Sequence, residues 1–299
     1  MTAFIFPGQG SQYVGMGKAL SASNADAKKI FESADSILGF SLSQICFDGP
    51  GDELKQTENT QPAIFVHSAA ILSTLSQSSE EKPVMTAGHS LGEYTALYAA
   101  SALAFEDALK IVRLRGELMQ RCGIEQPGTM AAIVGLDEKG IGEICCAAWK
   151  TGIVQAANFN SPGQIVISGS VAGVREAMRL AKERGAKLVK ELNVSGAFHS
   201  PLMQNAQEGL QAAIEKTNFT DAAIPVYANV TASPVIRAGE IKELLIQQLT
   251  KPVRWMEIIQ NMTKNGTTEF VEIGPGSVLQ GLVKRIAPAA LTRGTDIAQ

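Results

Sequence analysis

The pentapeptide Gly88-His89-Ser90-Leu91-Gly92 concentrates in one turn what nucleophilic acyl chemistry needs. A GxSxG set between an apolar strand and a helix-forming run reads as a nucleophile elbow: the serine sits on a strained bend, so its flanks must be small. The competing use of these residues is a glycine-flanked helix start with Ser90 as N-cap. A serine hydroxyl needs a base, and the chain offers His67, His89 and His199. His67 lies in the apolar run AIFVHSAAIL and reads as a core histidine, and His89, beside Ser90, should leave the elbow in another direction. His199, in SGAFHSP, stands in a loop before a helix whose N-cap and N1 would be Ser200 and Pro201. From such a loop a side chain can reach across a cleft, which makes His199 the candidate base.

Attack of Ser90 on a thioester creates an oxyanion that needs two preorganised donors. The elbow supplies the backbone NH of Leu91. The loop Pro7-Gly8-Gln9-Gly10 could bring the NH of Gln9 close to the reacting carbonyl, or it could be an ordinary strand-to-helix turn. It is not a dinucleotide fingerprint, since Tyr13 stands where the third glycine would be required, and no GxxxxGK[ST] occurs.

Helical periodicity over Glu106 to Cys122 puts Ala108, Ile111, Val112, Leu118, Met119 and Cys122 on one face. Arg115 falls on that apolar face, whereas Arg113 points to solvent. Leaving a buried guanidinium unpaired costs several kcal/mol. Its partner is either an internal carboxylate or one that arrives with the substrate, clamped by the planar fork while the other end of the acyl group meets Ser90. The second reading predicts a dicarboxylic acyl group.

The elements that must hold these residues alternate β-branched runs with amphipathic stretches, the signature of an α/β fold. A strand at Ala3 to Phe6, helices to about Leu75, a strand at Val84 to Ala87 and helices to Cys122 suit a parallel sheet. After Gly123 the order becomes strand (Met130 to Leu136), helix (Gly140 to Lys150), strand (Val154 to Asn158), strand (Gln164 to Ser168), helix (Val171 to Arg184), strand (Leu188 to Val194). That βαββαβ order is ferredoxin-like, with NSPGQ (Asn160 to Gln164) as hairpin turn. It predicts a discontinuous large domain, residues 1–123 and 195–299, with a small domain inserted at 124–194. A helix from Pro201 to Lys216, a strand around Pro225 to Asn229, helices to Asn265, a strand at Glu269 to Ile273 and a last helix complete the pattern.

Composition narrows the class. With 299 residues and 45% hydrophobic side chains, about two domains with a large core are expected. Lys and Arg total 26 against 29 Asp and Glu, a net charge of −3, so nucleic acid is excluded as the expected partner. Four cysteines, Cys46, Cys122, Cys145 and Cys146, make neither a disulfide framework nor a zinc site. Cys145 and Cys146 read as helix packing. No stretch approaches the ~20 apolar residues that span a bilayer, and no leader is apparent, so a cytoplasmic location is expected. Lys182, Arg184, Lys187 and Lys190 form a local basic cluster, either a solvated face or a dock for an acidic partner.

The runs FPGQGSQ, TQPAIF, GHSLGEY, RGELM, NFNSPGQ, GAFHS, PVRW and EIGPGSVLQGL occur here in the order found in malonyl-CoA:acyl carrier protein transacylases, and the resemblance spans nearly the whole chain. It implies an α/β-hydrolase-like large domain with an inserted ferredoxin-like small domain. It also implies ping-pong transfer of malonyl from malonyl-CoA, through Ser90, to the phosphopantetheine thiol of an acyl carrier protein in fatty acid or polyketide synthesis. By the same resemblance His199 is base and acid, Gln9 and Leu91 are the oxyanion donors, Arg115 is the carboxylate clamp and Gln61 a further pocket residue. The histidine is oriented by a main-chain carbonyl, placed by the motif at Gln248. Phe198 resembles the form common in malonyl-selective members, where bulk would crowd an α-methyl branch, although some fatty-acid enzymes carry serine there. No metal or tightly bound cofactor is implied. A thioester hydrolase on the same scaffold and a non-catalytic carrier-docking subunit are the competing functions.

Overall fold

The run Ala3–Phe6 is apolar at every position because both faces of its strand are covered, as in a parallel sheet flanked by helices. Alternation then divides its side chains. Phe4 and Phe6 pack with Phe31, Phe65 and Leu97 on one face, and Ala3 and Ile5 with Trp255, Ile258 and Phe270 on the other. The computed structural model describes residues 1–78 and 82–296. From the N-terminus it runs β1 (Thr2–Phe6), α1 (Lys18–Ser23), α2 (Ala25–Leu38), α3 (Leu42–Asp48), α4 (Gly51–Leu54), α5 (Thr57–Ser78), β2 (Met85–Gly88), α6 (Gly92–Ala99) and α7 (Phe105–Glu125). Next come β3 (Gly128–Val134), α8 (Glu138–Ala148), β4 (Val154–Ser161), β5 (Gln164–Ser170), α9 (Val171–Glu183) and β6 (Leu188–Glu191). A 3₁₀ turn (Pro201–Met203) leads into α10 (Gln204–Lys216), β7 (Val226–Tyr227), β8 (Pro234–Val235), α11 (Ala238–Gln248), α12 (Trp255–Lys264), β9 (Glu269–Glu272), α13 (Val278–Ile286) and β10 (Leu291–Gly294).

Two sheets result. The first has the order β10-β9-β1-β2-β7-β8 and is parallel except for the short β7–β8 pair. The second, β4-β5-β3-β6, is antiparallel and is drawn entirely from residues between Gly128 and Glu191. Its βαββαβ order and strand arrangement are ferredoxin-like. Beyond its own sheet, β4 bridges to Val253 through Val253 N to Ala157 O (2.8 Å) and Phe159 N to Val253 O (2.9 Å). The PVRW segment, which links α11 to α12, is thus bonded directly to the second sheet.

Several boundaries differ from the sequence reading. Asn160 and Ser161 extend β4 and Gln164 begins β5, so the turn shrinks to Pro162-Gly163, where Gly163 takes φ +69°. The strand at Leu188 ends at Glu191, releasing residues 192–200 as the loop that carries His199. β8 and β10 were not anticipated: β8 has two residues and β10 is an edge strand, LTRG, with almost no apolar pattern. Arg113 does not face solvent. Pro62 lies inside α5 and lacks the NH that would bond the carbonyl four residues earlier, and that carbonyl, Glu58 O, accepts instead from Arg113 Nη1 (2.9 Å). Arg113 also reaches Asn59 Oδ1 (2.8 Å), stapling α7 to α5, and pairs with Glu117 (2.6 Å) one turn along α7. The two helices cross so closely that a Cβ on Gly116 would lie 2.8 Å from Thr57 O, and this brings Gln61 beside Arg115.

Candidate active site

Ser90 stands between β2 and α6 at φ +53°, the strained turn that the glycines permit. Both flanks are sterically forced. A Cβ on Gly88 would fall 1.9 Å from the Gly92 carbonyl, and one on Gly92 would fall 2.1 Å from Phe6 O. Asn229, just past β7, braces the bend by accepting from Ser90 N (2.7 Å) and donating to Gly88 O (2.7 Å).

His199 reaches the serine from the opposite side of the cleft, its Nε2 lying 2.8 Å from Ser90 Oγ. It too has a positive φ, +56°, within a loop fixed by Ser200, which donates to Ala197 O (2.6 Å) and caps Leu202 N (3.3 Å). Nδ1 faces two carbonyls, Gln248 O (2.9 Å) and Lys251 O (3.2 Å). Carbonyls only accept, so Nδ1 carries the proton and Nε2 is free to take one from Ser90. No carboxylate is hydrogen-bonded to the imidazole among the described residues. Burial, then the positive charge of Arg115, holds the imidazole down at about 3, keeping it neutral at physiological pH.

Arg115 is 1% exposed yet forms no ion pair among the described residues. Its guanidinium donates only to neutral acceptors: Gln61 Oε1 (2.7 Å), Gln248 Oε1 (3.0 Å) and Ser90 Oγ (3.1 Å). Tyr94 lies beneath it at 5.5 Å from the ring centre, and Nε has no hydrogen-bond partner among the described residues. A cation so placed is undercompensated, and its Nη2 points at the nucleophile. Gln61 is held in turn by Nε2 to Met119 Sδ (3.2 Å).

The amides of Gln9 and Leu91 donate no hydrogen bond to any described residue, and both residues line the cavity of about 120 Å³ that contains Ser90. Gly8 presses against the elbow, where a Cβ would lie 2.5 Å from His89 O, and the Gln9 side chain is anchored to Thr57 Oγ1 (3.2 Å). Phe198, Met119, Met130 and Val194 form the apolar wall. A second cleft of about 220 Å³ shares Gln9, His89, Asn158 and Leu192 with the first and runs out past Gly10 and Ser11 to Val278.

The structure therefore gathers Ser90, His199, Gln9, Leu91, Gln248, Arg115, Gln61 and Phe198 around one cavity or its walls. His89 points out of the elbow, with Nε2 on Asn160 Oδ1 (2.9 Å) and its ring near Trp255, while still bordering the cleft. His67 is buried elsewhere, 3.7 Å from Asp296. Sequence reasoning missed Asn229 and Glu93. Each left a trace: Asn229 is polar at the carboxyl end of a parallel strand, where sites form, and Glu93 is the one charge in the apolar helix LGEYTALYAA.

Burial also holds His67 down at about 4, His89 below its ordinary value, and Glu93 up at about 7. Between pH 6.5 and 4.5 the unfolded chain takes up protons on the three histidines and releases one from Glu93, so unfolding binds protons and stability falls with pH. The thermal midpoint should drop from pH 7 to pH 5, with a shallower slope in His67→Phe. A midpoint unchanged across this range would contradict the assignment.

The match to an acyl transferase domain covers residues 3–290. The chain is 48% identical over 285 residues to a malonyl CoA-acyl carrier protein transacylase of Bacillus subtilis, covering 95% of this chain and 90% of that protein. It is 43% identical to the enzyme of that name from Haemophilus influenzae, with 95% and 91% covered. Among solved structures, an acyl-carrier-protein S-malonyltransferase from Bartonella henselae superposes with TM-score 0.96 at 42% identity, covering 99% of this chain and 96% of the other. A malonyl-transacylase in complex with a type II PKS acyl-carrier protein superposes with TM-score 0.96 at 38% identity, again over 99% and 96%.

Proposed function

The chain belongs to the acyl transferase domain family, and from that premise we propose that it transfers malonyl from malonyl-CoA to the phosphopantetheine thiol of an acyl carrier protein through a malonyl ester on Ser90. One observation carries the choice of acyl group: a buried guanidinium with no carboxylate in contact among the described residues, which donates to the nucleophile itself. A dicarboxylic acyl group such as malonyl brings a carboxylate to that place, in the bidentate geometry an arginine favours, whereas acetyl brings none.

In the first half-reaction Ser90 Oγ attacks the thioester carbonyl as its proton passes to His199 Nε2. The NH groups of Gln9 and Leu91 receive the oxyanion, and Gln61 and Gln248 aim Arg115 at the free carboxylate. Collapse breaks the C–S bond, and His199 returns its proton to the departing coenzyme A sulfur. In the second, the carrier thiol gives its proton to His199, its sulfur attacks the serine ester, and collapse restores the proton to Ser90 Oγ. A carbonyl on Nδ1 stabilises the imidazolium less than a carboxylate would, which suffices for thioesters because thiolates leave readily. The net reaction exchanges one thioester for another and each half moves only an acyl group and a proton, so the proposed reaction requires no metal or bound cofactor. Among the described residues no helix is long and apolar enough to cross a membrane, which agrees with work in the cytoplasm on fatty acid or polyketide supply.

Intact mass after mixing the protein with equal malonyl-CoA, methylmalonyl-CoA and acetyl-CoA tests the proposal, with Ser90→Ala as control. A malonyl adduct on the wild type alone is expected. No adduct would return the lead to a docking subunit, and free malonate released faster than transfer would return it to a hydrolase. Phe198 is 6% exposed in the cavity wall, and Phe198→Ser should narrow the preference for malonyl over methylmalonyl by about 10-fold or more, as a methyl in a filled pocket is worth ~1–3 kcal/mol. An unchanged ratio would clear Phe198 of that role. Of the basic cluster, Arg184 is tied to Glu143 (2.6 Å), while Lys182, Lys187 and Lys190 are exposed. Charge reversal at Lys187 and Lys190 should weaken carrier affinity, most at low salt; unchanged affinity would remove these lysines from docking.

A further inference from the structure

Glu93 is 3% exposed on the first turn of α6, three residues after the nucleophile, and makes no ion pair among the described residues. Its Oε2 receives two donors, Gln248 Nε2 at 2.6 Å and Asn229 N at 3.2 Å. Oε2 is an acceptor here, so the neighbouring amide turns its NH₂, not its oxygen, toward Glu93. Gln248 must present its NH₂ to Glu93 and to Ser90 O (2.9 Å), so its Oε1 must face the other way, onto Arg115 Nη2. The same residue's main-chain carbonyl accepts from His199 Nδ1. Glu93 makes the shortest of these contacts, and without it Ser90 O alone holds the NH₂ on its present side, so an amide that loosens or turns draws Oε1 away from the guanidinium.

We propose that Glu93 is a positioning residue for acyl selectivity, fixing the amide of Gln248 so that Arg115 is aimed at the free carboxylate of the incoming acyl group. This rests on the malonyl reading of the site. Glu93 touches no reacting atom: it acts through Gln248 on the clamp, and through Asn229 on the elbow. An acyl group without a carboxylate does not use the clamp, so selectivity separates this role from a structural one.

The experiment compares rates of acyl-enzyme formation from malonyl-CoA and acetyl-CoA, followed by intact mass, in wild type, Glu93→Leu and Glu93→Gln. Leucine fills the space without an acceptor, and the malonyl-to-acetyl ratio is expected to fall about 10-fold or more, the scale of a misplaced binding group. Glutamine keeps an acceptor oxygen for Gln248 Nε2 and should restore most of the ratio. If both rates fall together with the ratio within about 2-fold of wild type, Glu93 serves the fold alone and the proposal is overturned. Should Glu93→Leu not fold, Glu93→Asp decides: its carboxylate is drawn back by one methylene from Gln248, and a wild-type ratio there overturns the proposal equally. Wild-type protein that forms no malonyl adduct would instead remove the malonyl reading itself.

Discussion

His199→Ala is expected to slow malonylation of Ser90 by about 10⁴-fold while leaving binding of malonyl-CoA within a few-fold, because a serine hydroxyl without its base is a poor nucleophile at neutral pH. Geometry makes the assignment specific. Nε2 lies 2.8 Å from Ser90 Oγ, and both acceptors on Nδ1 are carbonyls, which fixes the tautomer that can take a proton. Single-turnover mass spectrometry, with acyl-enzyme measured against time, reads the effect directly. His89 provides the internal comparison, since it also borders the cleft but bonds Asn160 instead of the serine. His89→Ala should cost far less than His199→Ala. A loss under about 10-fold in His199→Ala, or the larger loss in His89→Ala, would place the base elsewhere. Because burial and the charge of Arg115 keep the free imidazole neutral down to about pH 3, the acid limb of the acylation rate should lie well below the ordinary histidine range. A bound malonyl carboxylate would offset the Arg115 charge and move that limb upward in the enzyme–substrate complex.

Arg115→Ala should lower kcat/KM for malonyl-CoA by about 10²–10³-fold, the range for deleting one member of a buried, hydrogen-bonded charge pair. Acetyl-CoA offers that residue no carboxylate, so its acylation rate should not fall in parallel. The alternative on the sequence was a structural salt bridge to an internal carboxylate. Among the described residues none is in contact: the guanidinium meets two glutamine side chains, a tyrosine ring and Ser90. Steady-state kinetics on both thioesters tests this, and undiminished malonyl transfer would end the clamp assignment.

The reach of the sequence varied with how local each determinant was. The elbow was legible because backbone sterics demand it: a β-carbon at Gly88 or Gly92 would collide with chain only a few residues away or in the neighbouring strand. The βαββαβ insert was legible from periodicity, since each of its strands packs one face on α8 and α9. Arg115 stood out as a charge on an apolar helical face. Arg113 misled the same reasoning, because besides Glu117 in its own helix it meets Asn59 and a carbonyl freed by Pro62 on α5, and no pattern within α7 records those.

Gln248 shows the remaining gap. Its motif suggested a backbone carbonyl for His199, but its side chain links Glu93, Ser90 and Arg115 across separations of 133 to 158 residues. The sequence by itself determined the elbow serine, the need for a distant base to activate it, the buried cation and the alternation that builds two sheets, all of which follow from local sterics, periodicity and the cost of burying charge. Tertiary structure alone decided which atoms meet. Hydrogen bonds between distant segments depend on how β2, α7, α11 and the His199 loop pack, and a contact of 2.6 to 3.1 Å is set by that packing, not by any spacing along the chain.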